Sequence, residues 1–268
     1  MIDCQDKEIV VDCMSNTRSS RDLLSKALQL QLANCATLCT YKELVWLSSG
    51  FKASGANIVL SSASDKRLRL MEWISNMPWP FAWLLWPDQE ISEQRSELKE
   101  FGFSSAQILA HMSIHSMLVP PRIKLQESLI CRSIRIARPA DLHELVRHYE
   151  LVHKIPRDYA FQVATAHLVT YPKNVCCTWV AVSQCEILAS ITAYRFGRQG
   201  LVSWLATCPM ARKQGIGSRL LVNAINYLKD RGVGSIELQS VPEAAPFYQK
   251  IGFTKEYDVE LWIYPGVT

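Results

Sequence analysis

Apolar and polar residues along this chain change period several times, and the changes mark its elements. From Arg21 to Thr37 the residues Leu23, Leu24, Ala27, Leu28, Leu30, Gln31 and Leu32 form one broad apolar face, which predicts a helix with Ser19 or Ser20 as its cap. A second short helix is expected over 41–48, a buried strand over 57–60, and a third helix over 64–76 starting at Ser64. Phe81 to Trp86 reads as a strand stopped by Pro87-Asp88, with Trp79, Phe81, Trp83 and Trp86 as core of the first half or its contact with the second. A helix over 90–101 then runs into Gly102, a position suited to a left-handed cap, and a strand is expected over 108–117. Pro120-Pro121 continues neither helix nor strand, so a domain boundary is expected between 118 and 133, dividing the chain into 1–125 and 130–268.

The second half opens with a strand at 134–137 and a helix started by Pro139, followed by a helix over 158–170. Strands over 177–182, 187–196 and 201–207 form a meander, the first two joined by a tight polar turn. A strongly amphipathic helix follows, then a strand at 235–239, a helix at 244–250 and an apolar closing segment. Hairpins first and strand–helix alternation later predict an α/β fold with a mixed, mostly antiparallel sheet flanked by helices. Strand, helix, Leu98-Lys-Glu-Phe-Gly-Phe103, strand in the first half echoes strand, helix, Tyr248-Gln-Lys-Ile-Gly-Phe253, strand in the second.

Composition narrows the classes. With 49% hydrophobic and 20% charged residues, the 268-residue chain can bury a sizeable core. A net charge of +4, with Lys and Arg scattered among acids, gives no case for nucleic acid. There is no run of about 18 apolar residues, and the acidic start lacks the pattern of a signal peptide. The expectation is a cytoplasmic chain without a membrane span, as monomer or homodimer. The nine cysteines and six histidines show no zinc-ligand spacing, so no metal is expected and the thiols read as free.

The chemistry concentrates in Thr207-Cys-Pro-Met-Ala-Arg-Lys-Gln-Gly-Ile-Gly-Ser218, between a strand and the amphipathic helix. Glycines at a helix start let the backbone approach a ligand, and the unpaired N–H groups and positive dipole end there favour phosphate, with Arg212 and Lys213 adding charge. Neither G-x-G-x-x-G nor G-x-x-x-x-G-K-[ST] is present. Arg212-Lys-Gln-Gly-Ile-Gly217 instead resembles the R/Q-x-x-G-x-G/A signature of the GNAT acetyltransferases, and Ala245-Pro-Phe-Tyr-Gln-Lys-Ile-Gly-Phe253 resembles that family's last block. The resemblance spans about 134–263. Pro80 to Asp88 with Leu98 to Phe103 resembles the first half of a two-part GNAT subgroup, in which a smaller, degenerate GNAT-like α/β domain lacks the phosphate loop.

The resemblance implies acetyl-CoA as acyl donor and a primary amine, on a small molecule or a protein, as acceptor. It places the pantetheine arm against the backbone of Leu205, Ala206 and Thr207, and the diphosphate on Arg212, Lys213, Gln214, Gly215, Ile216, Gly217 and Ser218. Ser240 would touch the pantetheine or the acceptor, and Tyr248 would return a proton to the leaving thiolate. The departure is the base: relatives carry a glutamate on the strand before the loop, and this chain has Val202-Ser-Trp-Leu205. Glu237 and Glu243 are the nearest acids in sequence, Glu237 reading as a solvated strand residue, and a water could serve instead. A non-catalytic acyl-CoA-binding or adaptor protein is the alternative. Cys208 has no histidine near it in sequence and reads as bland.

Overall fold

The computed structural model describes residues 19–32, 36–41, 44–61, 67–87, 91–115, 133–184 and 186–267. The expected boundary at 118–133 and the Ser64 cap fall outside these residues, apart from residue 133.

In the first half, α1 (Ser20–Leu32) starts where Ser19 Oγ accepts the Asp22 amide at 3.2 Å. Strands β1 (Thr37–Tyr41), β2 (Leu44–Ser48) and β3 (Ile58–Ser61) follow, then α2 (Arg67–Ile74), β4 (Phe81–Leu85), α3 (Ile91–Glu100) and β5 (Ser104–His115). The helix expected over 41–48 is a hairpin: β1 pairs antiparallel with β2, Tyr41 opposite Leu44. Val45-Trp-Leu47 fits either period over so short a run, and its β-branched and aromatic residues fill a strand with Trp46 and Leu47 buried. Thr37, expected in the helix before it, begins β1. Gly102 takes the left-handed conformation (φ 83°) that its place after α3 requires.

The second half comprises β6 (Ser133–Ile136), α4 (Leu142–His153), α5 (Arg157–Thr165), β7 (Cys176–Ser183), β8 (Glu186–Phe196), β9 (Gln199–Thr207), α6 (Ile216–Lys229), β10 (Ser235–Ser240), α7 (Ala245–Gln249) and β11 (Thr254–Tyr264). The expected helix over 158–170 closes with a wide π turn, Ala166–Thr170.

Among the described residues the strands form a single sheet in the order β1-β2-β3-β4-β11-β5-β10-β9-β8-β7-β6, in which only the β3/β4 and β9/β10 pairs run parallel. The closing strands of the halves are exchanged. β5 lies between β10 and β11, and β11 lies between β4 and β5. The echo seen in the sequence sits at this exchange: Gly102 and Gly252 are both left-handed, and Phe103 and Phe253, just ahead of the paired strands, are both buried.

Alternation along the strands builds two faces. On one, Val202, Ile236 and Leu238 pack with Leu220, Leu221 and Ile225 of α6. On the other, Val180 packs with Leu145 and Tyr149 of α4, while Leu201 packs with Leu23 and Leu30 of α1. The first half therefore reaches over the sheet of the second. Phe81 and Trp83 are core of the first half, packed with Leu70, Met71 and Trp262.

Candidate active site

The parallel pairing of β9 and β10 lasts three positions, Gln199–Ser235, Gly200–Ile236 and Leu201–Glu237, and then stops. Beyond it β9 stays bonded to β8 (Ala206 opposite Ser190, Thr207 opposite Ala189), and β10 stays bonded to β5 (Ser240 opposite Ala110). The two inner edges therefore diverge as a wedge, with the backbone of Leu205, Ala206 and Thr207 along one side and Ser240 on the other. Backbone groups on such edges need partners, and an extended ligand lying in the wedge would supply them. Ser240 is buried, and its hydroxyl donates to the Val241 carbonyl at 2.8 Å.

A bulge sharpens the divergence. The β8/β9 register slips between Ser190 and Thr192, and Trp204 opposite the slip is left-handed at φ 55°. That region is strained for a bulky residue. Tertiary bonds hold it: the Trp204 indole N–H donates to Gln31 Oε1 at 2.8 Å, and Ser190 Oγ donates to the Trp204 carbonyl at 3.3 Å. Gln31 Nε2 in turn donates to the Tyr159 hydroxyl at 3.0 Å, and that hydroxyl donates to the Gly55 carbonyl at 3.0 Å. This chain of bonds crosses between the halves three times.

Beyond the wedge, Pro209–Ala211 forms one 3₁₀ turn, and Arg212 Nε donates to the Thr207 carbonyl at 3.1 Å. Lys213 (φ 59°) and Gly215 (φ 71°) are both left-handed and fold the loop onto the start of α6. Gly215 is the N-cap and no side chain caps it, so the first-turn amides keep their capacity for an anion. A Cβ built on Gly217 meets only Thr207 Oγ1 at 3.5 Å and Phe247 Cζ at 3.8 Å, so the glycine leaves space rather than relieving a clash. Arg212 and Lys213 are exposed beside it. The loop thus fits a diphosphate and the wedge fits an extended arm.

Tyr248 on α7 is half-buried among Phe247 and Phe253, with ring centroids 4.9 and 6.0 Å away. Burial pushes its phenol up to about 12, so it stays protonated at neutral pH.

The expectation about Glu237 changes, and Cys208 gains a neighbour from a distant part of the sequence. Glu237 is not solvated: it is 7% exposed, and its Oε2 lies 3.3 Å from Nε2 of His111 on β5, outside hydrogen-bond geometry. The strand exchange that covers β10 removes it from water. Glu243 is exposed on the 3₁₀ turn after β10. Cys208 does have a histidine beside it, since Sγ is 3.5 Å from Nδ1 of His148 on α4. Burial raises the thiol and lowers the imidazole to about 4, so both are neutral rather than a reactive ion pair. Among the described residues no cluster of His, Cys, Asp or Glu could hold a metal ion, and no helix is long and apolar enough to cross a membrane.

The sequence reading missed Gln31, Tyr159 and Trp204. They come from α1, α5 and β9, and no spacing links them along the chain.

Residues 174–255 match the family described as "Acetyltransferase (GNAT) domain". No curated protein matches the chain. Among solved structures it is similar to a GCN5-related N-acetyltransferase from Kribbella flavida, with 11% identity over 94% of this chain and 98% of that one and a TM-score of 0.63. It is similar also to a tandem GNAT protein from the clavulanic acid biosynthesis pathway, at 12% identity over 91% and 89% with a TM-score of 0.57. A functionally unknown conserved protein from Staphylococcus epidermidis shares 12% identity over 87% and 95%, with a TM-score of 0.58. At such identities the structural likeness is one of fold. The chain thus has the fold of GNAT acetyltransferase structures, and within it residues 174–255, from β7 to the start of β11, match the GNAT acetyltransferase domain.

Proposed function

We propose that this chain is an acetyl-CoA-dependent N-acetyltransferase whose catalytic domain is 130–268, and that 1–125 is a degenerate GNAT-like companion. The observation that carries the reading is the β9/β10 wedge running directly into the uncapped start of α6. Bound acetyl-CoA supplies an acyl group activated as a thioester. Leu205, Ala206 and Thr207 offer backbone groups to its pantetheine arm. Arg212 to Ser218 hold the diphosphate, and Ser240 lines the mouth of the wedge. The acceptor nitrogen forms a bond to the acyl carbon as the carbon–sulfur bond breaks. One proton leaves the nitrogen for solvent, and the thiolate takes one from Tyr248. The phenol is protonated at neutral pH and so has the proton to give, while burial makes it a weaker acid than a free tyrosine.

Titration of acetyl-CoA into wild type and Gly217→Glu tests the cofactor site. The space at Gly217 admits a Cβ without a clash. Its carboxylate should cut affinity by about a hundredfold, roughly 2.7 kcal/mol. A well-folded wild type that binds no acetyl-CoA would sink the reading.

The absence of a carboxylate on β9 favours a second reading, a non-catalytic acyl-CoA-binding or adaptor protein. Binding of acetyl-CoA with no turnover against a broad amine panel would establish that one.

A further inference from the structure

A cavity of about 660 Å³ opens between the two halves, beside the bulge of β9. Leu201, Ser203 and Trp204 line it from the sheet; Leu24, Leu28 and Ile58 line it from the first half. Among the described residues, the charged ones on its wall are Lys52 from the first half and Lys154 from the second. Both are exposed, and neither is ion-paired with an acid among the described residues. The neighbouring cavity, about 750 Å³, is different in kind: Glu144, Glu150 and Glu186 face Arg147 and Arg157 there.

The other polar groups of the first cavity are largely committed. The Trp204 indole, the Gln31 amide and the Tyr159 hydroxyl form the bonded chain that ends on the Gly55 carbonyl. The exception is His153, at the end of α4. Its Nε2 is buried and has no hydrogen-bond partner, and its ring stands edge-on to Trp204 at 4.6 Å. Lys154, the next residue, is fixed by a left-handed backbone (φ 54°), so its position does not follow α4 onward. Among the described residues the buried imidazole nitrogen in the wall has no partner, and the two exposed ammonium groups bring positive charge beside it.

We infer that this cavity receives the acceptor, and that the acceptor is a primary amine carrying a carboxylate on an apolar body, an amino acid with a large apolar side chain being the simplest form. The inference rests on the acetyltransferase reading and adds the substrate class to it. The apolar wall takes the side chain, and Lys52, Lys154 and His153 Nε2 meet the carboxylate. A polyamine or a lysine-rich peptide would bring further cations to a wall that has no acid among the described residues, which costs affinity. The same positive surroundings lower the pKa of the bound amine and enlarge its neutral, nucleophilic fraction. That effect supplies part of what a carboxylate on β9 would otherwise do.

The test uses the full chain with acetyl-CoA and four acceptors: phenylalanine, leucine, phenylalaninol and spermidine. Product is followed by mass and CoA release. The amino acids should exceed phenylalaninol in kcat/KM by about tenfold or more, with spermidine lowest. Lys52→Glu and Lys154→Glu, at exposed positions, should each raise the amino-acid KM about tenfold and leave the KM for acetyl-CoA unchanged. Equal use of phenylalaninol, or preference for spermidine, would overturn the inference. Where no acceptor turns over, titration with N-acetylphenylalanine and N-acetylphenylalaninol decides: preference for the carboxylate upholds the cavity's assignment, and equal or absent binding refutes it. Failure of acetyl-CoA itself to bind would instead count against the acetyltransferase reading.

Discussion

Glu237 of β10 and His111 of β5 face each other at 3.3 Å, one from each half of the chain, and both are buried. The His111 ring also stacks on Tyr257 of β11 at 4.6 Å, and its Nδ1 lies 3.2 Å from the amide of Gln239. The exchanged strands are therefore bound by a polar seam as well as by their backbone ladders.

His111→Leu removes the group facing a buried carboxylate. It should cost about 1–3 kcal/mol, the range for leaving a buried polar group without its neighbour. Adding Glu237→Leu should recover part of that loss, because the buried carboxyl is then gone as well. Urea unfolding of the two single variants and the double variant measures the coupling; strictly additive losses would contradict it.

Neither half should fold alone. In 130–268, β10 loses β5 as a partner, and β11 loses both β4 and β5. Expressed separately, that segment should be insoluble or lack cooperative unfolding, and co-expression with 1–125 should restore a soluble complex. A sharp thermal transition of 130–268 by itself would disprove this.

Stability should fall on the acid side. His148 and His153 are held near 4 and His167 near 3, in each case mainly by burial, against about 6.5 in the unfolded chain. The unfolded state binds protons first as pH drops, so their contribution is complete above pH 6.5 and declines between there and about 4. Each histidine accounts for up to about 1.4 kcal/mol per pH unit in that window. Urea midpoints at pH 7, 6 and 5 should decrease in order. His167→Gln, which loses the imidazole that bridges the Tyr149 and Tyr194 hydroxyls at 2.8 and 2.6 Å, should be less stable at pH 7 and less sensitive to acid.

Tyr248→Phe deletes only a hydroxyl and should leave both the fold and acetyl-CoA affinity intact. Its kcat should drop by about a hundredfold if the phenol protonates the thiolate. Because burial holds this phenol near 12, it should add no alkaline limb to the wild-type rate profile below about pH 11. A variant with unchanged kcat would reduce Tyr248 to a packing role beside Phe247 and Phe253.

The sequence by itself determined what is local. Amphipathic stripes such as Leu220, Leu221, Ile225 and Leu228 set the helices, because burial at a fixed period needs no distant partner. Gly102, Gly215 and Gly252 marked turns because left-handed backbone is cheap for glycine. The loop from Arg212 to Ser218 could be read as a unit for the same reason: amides, glycines and charge suited to one anion lie within a few residues. Tertiary structure decided whatever depends on which strands become neighbours. Nothing along the chain announced that β5 would cover β10 and bury Glu237, or that Val45-Trp-Leu47 would find strand partners instead of a helix. Nor did it announce that Gln31 would reach Trp204, 173 positions away, and hold the bulge beside the cavity. Those outcomes rest on pairings that pay the entropy of long loop closure only when the whole sheet assembles, and such pairings leave no period in the sequence.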